Sequence, residues 1–151
     1  MKIPMTPTRQ SMTLIVAEAG GEWASWVEAL RRRGDTVVVM RQRDDESLGA
    51  LAGRVRARCR EALSQGATME RAVIAGGGRA DRDALSARSL AIRAIVSAMS
   101  PRRRGRLLLD PSGSDRYSMM ALATTVTAML RGTGVRVETA DRHVQDAGLA
   151  A

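Results

Sequence analysis

Apolar residues in this chain fall into short β-branched runs, separated by longer stretches where they recur every three or four positions. That alternation predicts strands joined by helices. Met12 to Ala17 reads as a first strand, broken by Gly20 and Gly21. The helix after it sets Trp23, Trp26, Val27 and Leu30 on one face and ends at Gly34. Thr36 to Met40 reads as a second strand, apolar throughout, and Asp44, Asp45 and Glu46 as the acidic start of a second helix. Leu48, Leu51, Val55, Cys59 and Ala62 form a stripe along that helix. Ala72 to Ala75 is the third strand. Asp81 or Asp83 then caps a helix that buries Leu85, Ile92, Val96 and Met99 and stops at Pro101. Arg106 to Leu109 is the fourth strand and Val135 to Thr139 the fifth.

Near-continuous apolar strands alternating with helices predict a parallel sheet covered on both faces. The expected architecture is α/β: a three-layer, open, parallel five-stranded sheet, flavodoxin-like or Rossmann-like. Residues 12–139 form one such domain, with an N-terminal extension over 1–11 and a tail over 140–151 that holds the single histidine, His143. The fourth helix, 115–131, is apolar nearly all round through Met119, Met120, Leu122, Val126, Met129 and Leu130. Such a helix is covered on both sides or lies in a subunit contact, so a homodimer through 115–131 is expected.

Composition narrows the picture. Aromatic residues make up only 2% of the chain and Phe is absent, so aliphatic residues and nine Met must build the core. No apolar run approaches the roughly 20 residues of a membrane span. Met1 to Gln10 has no apolar segment of the secretory kind, and the one cysteine, Cys59, fits a reducing compartment. A cytoplasmic protein with no membrane role is the expectation. Arginine carries the net charge of +8, since Lys2 is the single lysine.

In open α/β sheets, ligands bind beyond the carboxyl ends of the strands, where the strand order reverses. If the order is 2-1-3-4-5, the reversal brings Glu18 and Gly20 next to Gly76, Gly77, Gly78 and Arg79. Glycines let backbone approach a ligand closely, and a following helix start offers unpaired N–H donors. One reading is an anion or nucleotide seat assisted by Arg79 or Arg41; the other is a tight strand-to-helix turn. The turn Asp110 to Ser114 is similarly open. It is either plain turn chemistry or, through Asp110 with Glu18, a Mg²⁺ site.

Signatures of catalysis are missing. The chain has no G-x-x-x-x-G-K-[ST] loop, G-x-S-x-G elbow or H-E-x-x-H, and Asp81 occupies the sixth position of a would-be G-x-G-x-x-G. One His and one Cys cannot build a zinc site, so no metal ligands are assigned. Cys59 on its apolar stripe reads as core. A non-catalytic domain is therefore favoured over an enzyme.

Two arginine runs, Arg31, Arg32, Arg33 and Arg102, Arg103, Arg104, close helices at the sheet edge away from the glycines. They either complement helix dipoles or form a basic rim for an acidic partner or nucleic acid. With so few aromatics, such binding would be electrostatic and salt-sensitive.

The segment Ala75 to Ser89 resembles the phosphate-binding stretch of universal stress proteins, G-x₂-G-x₉-G-[ST], in the frame Ala75-x₂-Gly78-x₉-Arg88-Ser89. Gly78 and Ser89 match, Ala75 and Arg88 replace glycines, and Glu18 stands where the family has an acidic residue after the first strand. The resemblance covers about a tenth of the chain and follows the third strand, where the family's motif follows the fourth. It implies a dimeric stress-response domain, and the expected ligand is ATP or another adenine nucleotide. A weaker resemblance, to anti-sigma-factor-antagonist-like domains, rests on Gly78-x-x-Asp81, Leu107 to Asp110 and Ser118. The candidate site is thus Glu18, Gly20, Gly76, Gly77, Gly78, Arg79 and Ser89 in a small regulatory domain. The alternative is an interaction module using the arginine rim.

Overall fold

The computed structural model describes residues 11–34, 36–77, 81–99, 105–110 and 116–139. The elements in order are β1 (Ser11–Ala17), α1 (Ala24–Arg32), β2 (Thr36–Arg41), α2 (Leu48–Ser64) and β3 (Thr68–Ala75). They continue with α3 (Arg82–Met99), β4 (Gly105–Asp110), α4 (Arg116–Met129) and β5 (Val135–Thr139). All strand pairs are parallel, and the sheet order is β2-β1-β3-β4-β5. The expected α/β architecture is therefore present, with its direction of winding reversing between β1 and β3.

Crossovers between parallel strands keep one hand, so reversing direction moves the connecting helix to the other face. Accordingly, among the described residues α1 is the one helix on its face, where Trp26, Val27 and Leu30 meet Ile15, Val73 and Leu108. On the other face α2, α3 and α4 share a larger core with Leu14, Val16, Ile74, Leu107 and Leu109. Leu14, Ile15, Leu107, Leu108 and Leu109 are wholly buried, each contributing about 1.5–3 kcal/mol of burial free energy. Alternation along β1 and β4 thus feeds two cores at once, as a strand's period of two requires.

Several sequence expectations shift. β2 is an edge strand, so Val37, Val38 and Val39 are only partly covered, although their pattern reads as fully apolar. β3 starts four residues before Ala72, because Thr68 and Met69 pair with Ser11 and Met12 ahead of a bulge. The acidic cluster does not begin α2. Ser47 is its N-cap and accepts a hydrogen bond from the Ala50 amide at 3.0 Å. Glu46 instead clamps the loop, accepting from Arg54 Nε at 2.7 Å, from Arg54 Nη2 at 2.6 Å and from the Arg43 amide at 3.1 Å. Asp81 caps α3 through the Ala84 amide at 2.9 Å, Leu85 is half-buried, and Arg88 enters the core. Pro101, the turn 111–114 and the tail 140–151 lie outside the described residues.

On the face bearing α1, Arg71, Arg106 and Arg136 stand in register across β3, β4 and β5. Glu138 tempers this row of like charge by accepting from Arg106 Nη2 at 2.6 Å and Nε at 3.1 Å.

Hydrogen bonds from Arg54 hold the Glu46 carboxyl at about 2, against an ordinary value of 4.5. A depressed folded value means Glu46 stabilises the fold fully above the unfolded value and loses that contribution as pH falls toward 2. Urea midpoints measured from about pH 6 to about pH 2 should decline through this window. Glu46→Gln should lower stability near neutrality and flatten the decline; an unchanged profile would show that the clamp adds nothing.

Candidate functional site

At the carboxyl edge of the sheet Arg41, Ala17, Ala75 and Asp110 stand in register across β2, β1, β3 and β4. One further backbone bond ties each neighbouring pair. The Gln42 amide donates to Ala17 O at 2.8 Å, the Glu18 amide to Ala75 O at 3.0 Å and the Gly76 amide to Asp110 O at 2.8 Å. Past this line the β1–α1 and β3–α3 turns meet. A Cβ on Gly77 would collide with the carbonyl oxygen of Ala19, and one on Gly21 would sit 2.6 Å from that of Ala75. Gly20 takes a left-handed φ of 86° that closes its turn. Here the glycines let the two turns seat directly on one another.

Between them lies a buried carboxylate. Glu18 Oε1 accepts from the Gly77 amide at 2.9 Å and from Arg88 Nη2 at 2.6 Å, while Oε2 accepts from Arg88 Nε at 2.6 Å. Both side chains are almost fully buried, 4% and 2% exposed. Helical side chains lean toward the N-terminus, so Arg88, the seventh residue of α3, reaches back to the glycine turn. The geometry is the bidentate fork that carboxylate and guanidinium favour. The chain's own carboxylate therefore occupies the amide that an incoming anion would use at this depth. Below it, a cavity of about 10 Å³ bordered by Val16, Leu51 and Ile74 holds one water at most.

The other predicted residues divide. Glu18, Gly20, Gly76 and Gly77 converge at the strand-order reversal as expected. Ser89 does not join them: it lies seven residues into α3, about 10 Å along the axis, and is half-buried. Gly78 and Arg79 lie outside the described residues. Arg41 stacks over the Trp23 ring, 4.7 Å from its centroid, at the rim beside β2. Gln42 couples that rim to β1, accepting from the Ala19 amide at 2.8 Å.

Asp110 and Glu18 cannot share a Mg²⁺. Asp110 follows Leu108 on the α1 face, where its Oδ2 accepts from Trp26 Nε1 at 2.6 Å; Glu18 follows Val16 on the opposite face. Among the described residues, no group of three His, Cys, Asp or Glu side chains is placed to hold a metal ion. Cys59 is buried in the α2–α3 core, and burial pushes its thiol up to about 11. Arg31 and Arg32 close α1 at the amino edge of the sheet, exposed, with Arg32 paired to Glu28. Arg102, Arg103 and Arg104 lie outside the described residues.

Arg88 is the buried residue at this edge that pattern reading passes over. Its signal was available: an arginine inside the stripe Ala84, Ala87, Ala91, Ile92 and Ile95 needs a buried carboxylate, and Glu18 is the acid at the neighbouring strand end.

Removing one partner of a buried pair leaves the other charge uncompensated, at a cost of about 3–5 kcal/mol. Glu18→Gln should lose that much in urea unfolding, and a Glu18→Leu/Arg88→Leu double replacement should recover most of it. A loss in Glu18→Gln of only about 0.5 kcal/mol, as for a surface change, would remove the pair from this role.

No protein-family model matches the chain, and no curated protein matches it in sequence. Its fold resembles a short-chain dehydrogenase from Streptomyces avermitilis, at TM-score 0.59 and 15% identity over 86% of this chain. It also resembles a betaketoacyl-[ACP] reductase from Bacteroides thetaiotaomicron, at 0.64 and 14% over 87% of this chain and 75% of that one. A ribose-5-phosphate isomerase from Brucella melitensis aligns at 0.53 and 15%, over 87% of this chain and 67% of that one. The chain spans 64% of the length of the dehydrogenase. At such identities the likeness is one of architecture, and the architecture is Rossmann-like α/β.

Proposed function

We propose that this chain is a small regulatory domain that holds an adenine nucleotide, or another anion, across the carboxyl edge of its sheet. The observation that carries this reading is the reversal of strand order between β1 and β3, at the place where the glycine turns converge. The Glu18–Arg88 pair closes the floor, so a nucleotide would lie over Gly20, Gly76 and Gly77, and the sequence offers Gly78 and Arg79 as partners for its phosphates. Glu18 is then a positioning residue, holding the Gly77 turn rather than touching the ligand. The Trp23–Arg41 stack offers a cationic rim toward β2.

Binding rather than turnover suits the chemistry of the groups present. Asp110 is engaged by Trp26, Glu18 by Arg88, and the Cys59 thiol is buried and held protonated. The stress-response role rests on the resemblance in Ala75 to Ser89, in which Ser89 stands away from the glycine turn. A cytoplasmic setting accords with the single buried cysteine. Among the described residues no helix is long and apolar enough to cross a membrane.

A thermal-shift titration with ATP, ADP, AMP and NAD tests the site; NAD is included because a dehydrogenase and a reductase share the fold. A ligand at about 100 times its Kd adds about 2.7 kcal/mol, so a saturable rise of several degrees is expected. Gly78→Asp and Arg79→Ser should abolish it. No shift at millimolar concentrations of any of the four would sink the proposal.

A homodimer through α4 is proposed on separate grounds. Met119, Leu122, Val126 and Leu130 face the core, while Met120 and Met129 remain 48% and 55% exposed. Nine residues apart, these two methionines stand on opposite flanks of α4, with Thr124 and Thr125 on the outer side between them, their hydroxyls donating to their own helix four residues back. Light scattering after size exclusion should give twice the chain mass, falling to a monomer in Met120→Glu/Met129→Glu. A native monomer would refute the contact.

A further inference from the structure

We infer that the groove between α2 and α3 is a docking surface for an acidic, leucine-bearing helical segment of a partner protein. The two helices lie side by side over the sheet, and the furrow between them runs from Ser47 to Leu63 along α2. At 1.5 Å per residue that is about 24 Å, the length of four to five helical turns. It comprises two hollows, about 420 Å³ toward the start of the helices and about 350 Å³ toward their ends, with Leu90 in the wall of both. Leu90 and Leu63 are each 40% exposed, which leaves two apolar side chains, one on each helix, for an occupant of the second hollow to cover.

Charge identifies the occupant. Arg56, Arg60 and Arg93 are exposed around the second hollow, and among the described residues no carboxylate lines it. Arg56 and Arg60 are one turn apart on α2, with Arg93 across the furrow on α3, so they flank a helix laid between them. Asp83 borders the first hollow, so the charge changes sign along the groove and gives the occupant a direction. A segment with leucines on one face and Glu or Asp at its sides complements this surface, in the helix-in-groove mode of recognition. A symmetric groove-to-groove contact between two copies does not fit, because it would set these arginines against each other in a chain already at +8. Neither does nucleic acid: among the described residues the lining has exposed leucines and no aromatic ring for bases to stack on. The first hollow opens at the carboxyl edge and shares Leu48 and Ala87 with the small cavity beneath Glu18 and Arg88, whereas Arg56, Arg60, Arg93 and Leu63 line the second hollow, toward the opposite edge.

Fluorescence anisotropy provides the test, using a labelled synthetic helix of about 16 residues with Leu along one face and Glu beside it. A version with Gln for Leu, a thymidine oligonucleotide and phosphatidylserine vesicles serve as comparators, at about 50 and about 300 mM salt. The Leu/Glu peptide should bind saturably, and more weakly at the higher salt. Its Kd should rise at least about tenfold in Arg56→Ser/Arg60→Ser/Arg93→Ser and again in Leu63→Ser/Leu90→Ser. The arginine substitutions are at exposed positions and should leave the melting temperature within a few degrees of the parent, and circular dichroism of the leucine variant should show a folded protein at the assay temperature, which separates lost docking from lost folding. Three results would overturn the inference: no saturation below about 100 µM, equal affinity for both variants, or binding to the oligonucleotide or vesicles alone.

Discussion

The buried pair between Glu18 and Arg88 is the interaction on which the carboxyl edge of this molecule depends. A carboxylate and a guanidinium are costly to remove from water, and that cost is met only when geometry and hydrogen bonding are both satisfied. Here the fork is bidentate and the Gly77 amide supplies a third donor to the carboxylate. One side chain thereby joins β1, the turn after β3 and the body of α3. Elsewhere, the outermost backbone bonds between strands and the Gln42 bridge extend the same tie across to β2.

A strand-order reversal leaves a crevice in a Rossmann-like sheet, and proteins fill it with a ligand or with themselves. This chain fills the deepest part with its own acid. The close seating of Gly77 on Ala19 and of Gly21 on Ala75 follows from that choice, since any side chain would hold the turns apart. The same economy governs the β2–α2 loop, where Glu46 organises Arg54 and the Arg43 amide. A strongly arginine-biased chain thus keeps part of its charge inside, matched to particular carboxylates, and sets the rest on its surface. The arginines flanking the α2–α3 groove belong to the second group.

Much of the fold was legible in the pattern of the chain. Five apolar runs, each separated by a stretch of helical period, led to a parallel α/β sheet because strands covered on both faces have no other composition open to them. Errors fell where local signals compete. Asp44, Asp45 and Glu46 look like a helix start, yet Ser47 caps α2 because its hydroxyl reaches the Ala50 amide while Glu46 is drawn to Arg54. The run Val37 to Val39 looks like an interior strand but forms an edge, because burial depends on which neighbours a strand acquires.

The sequence by itself determined the order and type of the elements, the two-faced alternation of β1 and β4, and the glycines at the strand ends. These are local properties, written in spacing and backbone freedom. Only the tertiary structure decided how those glycines are used, because the partners of Gly77, Ala19 and Glu18, lie about 60 positions away along the chain. It also decided that Arg88 turns inward to Glu18 while Asp110 turns to Trp26 on the other side of the sheet. Ion pairs and cross-sheet hydrogen bonds have no period in sequence. They form where the topology brings donors and acceptors together out of water.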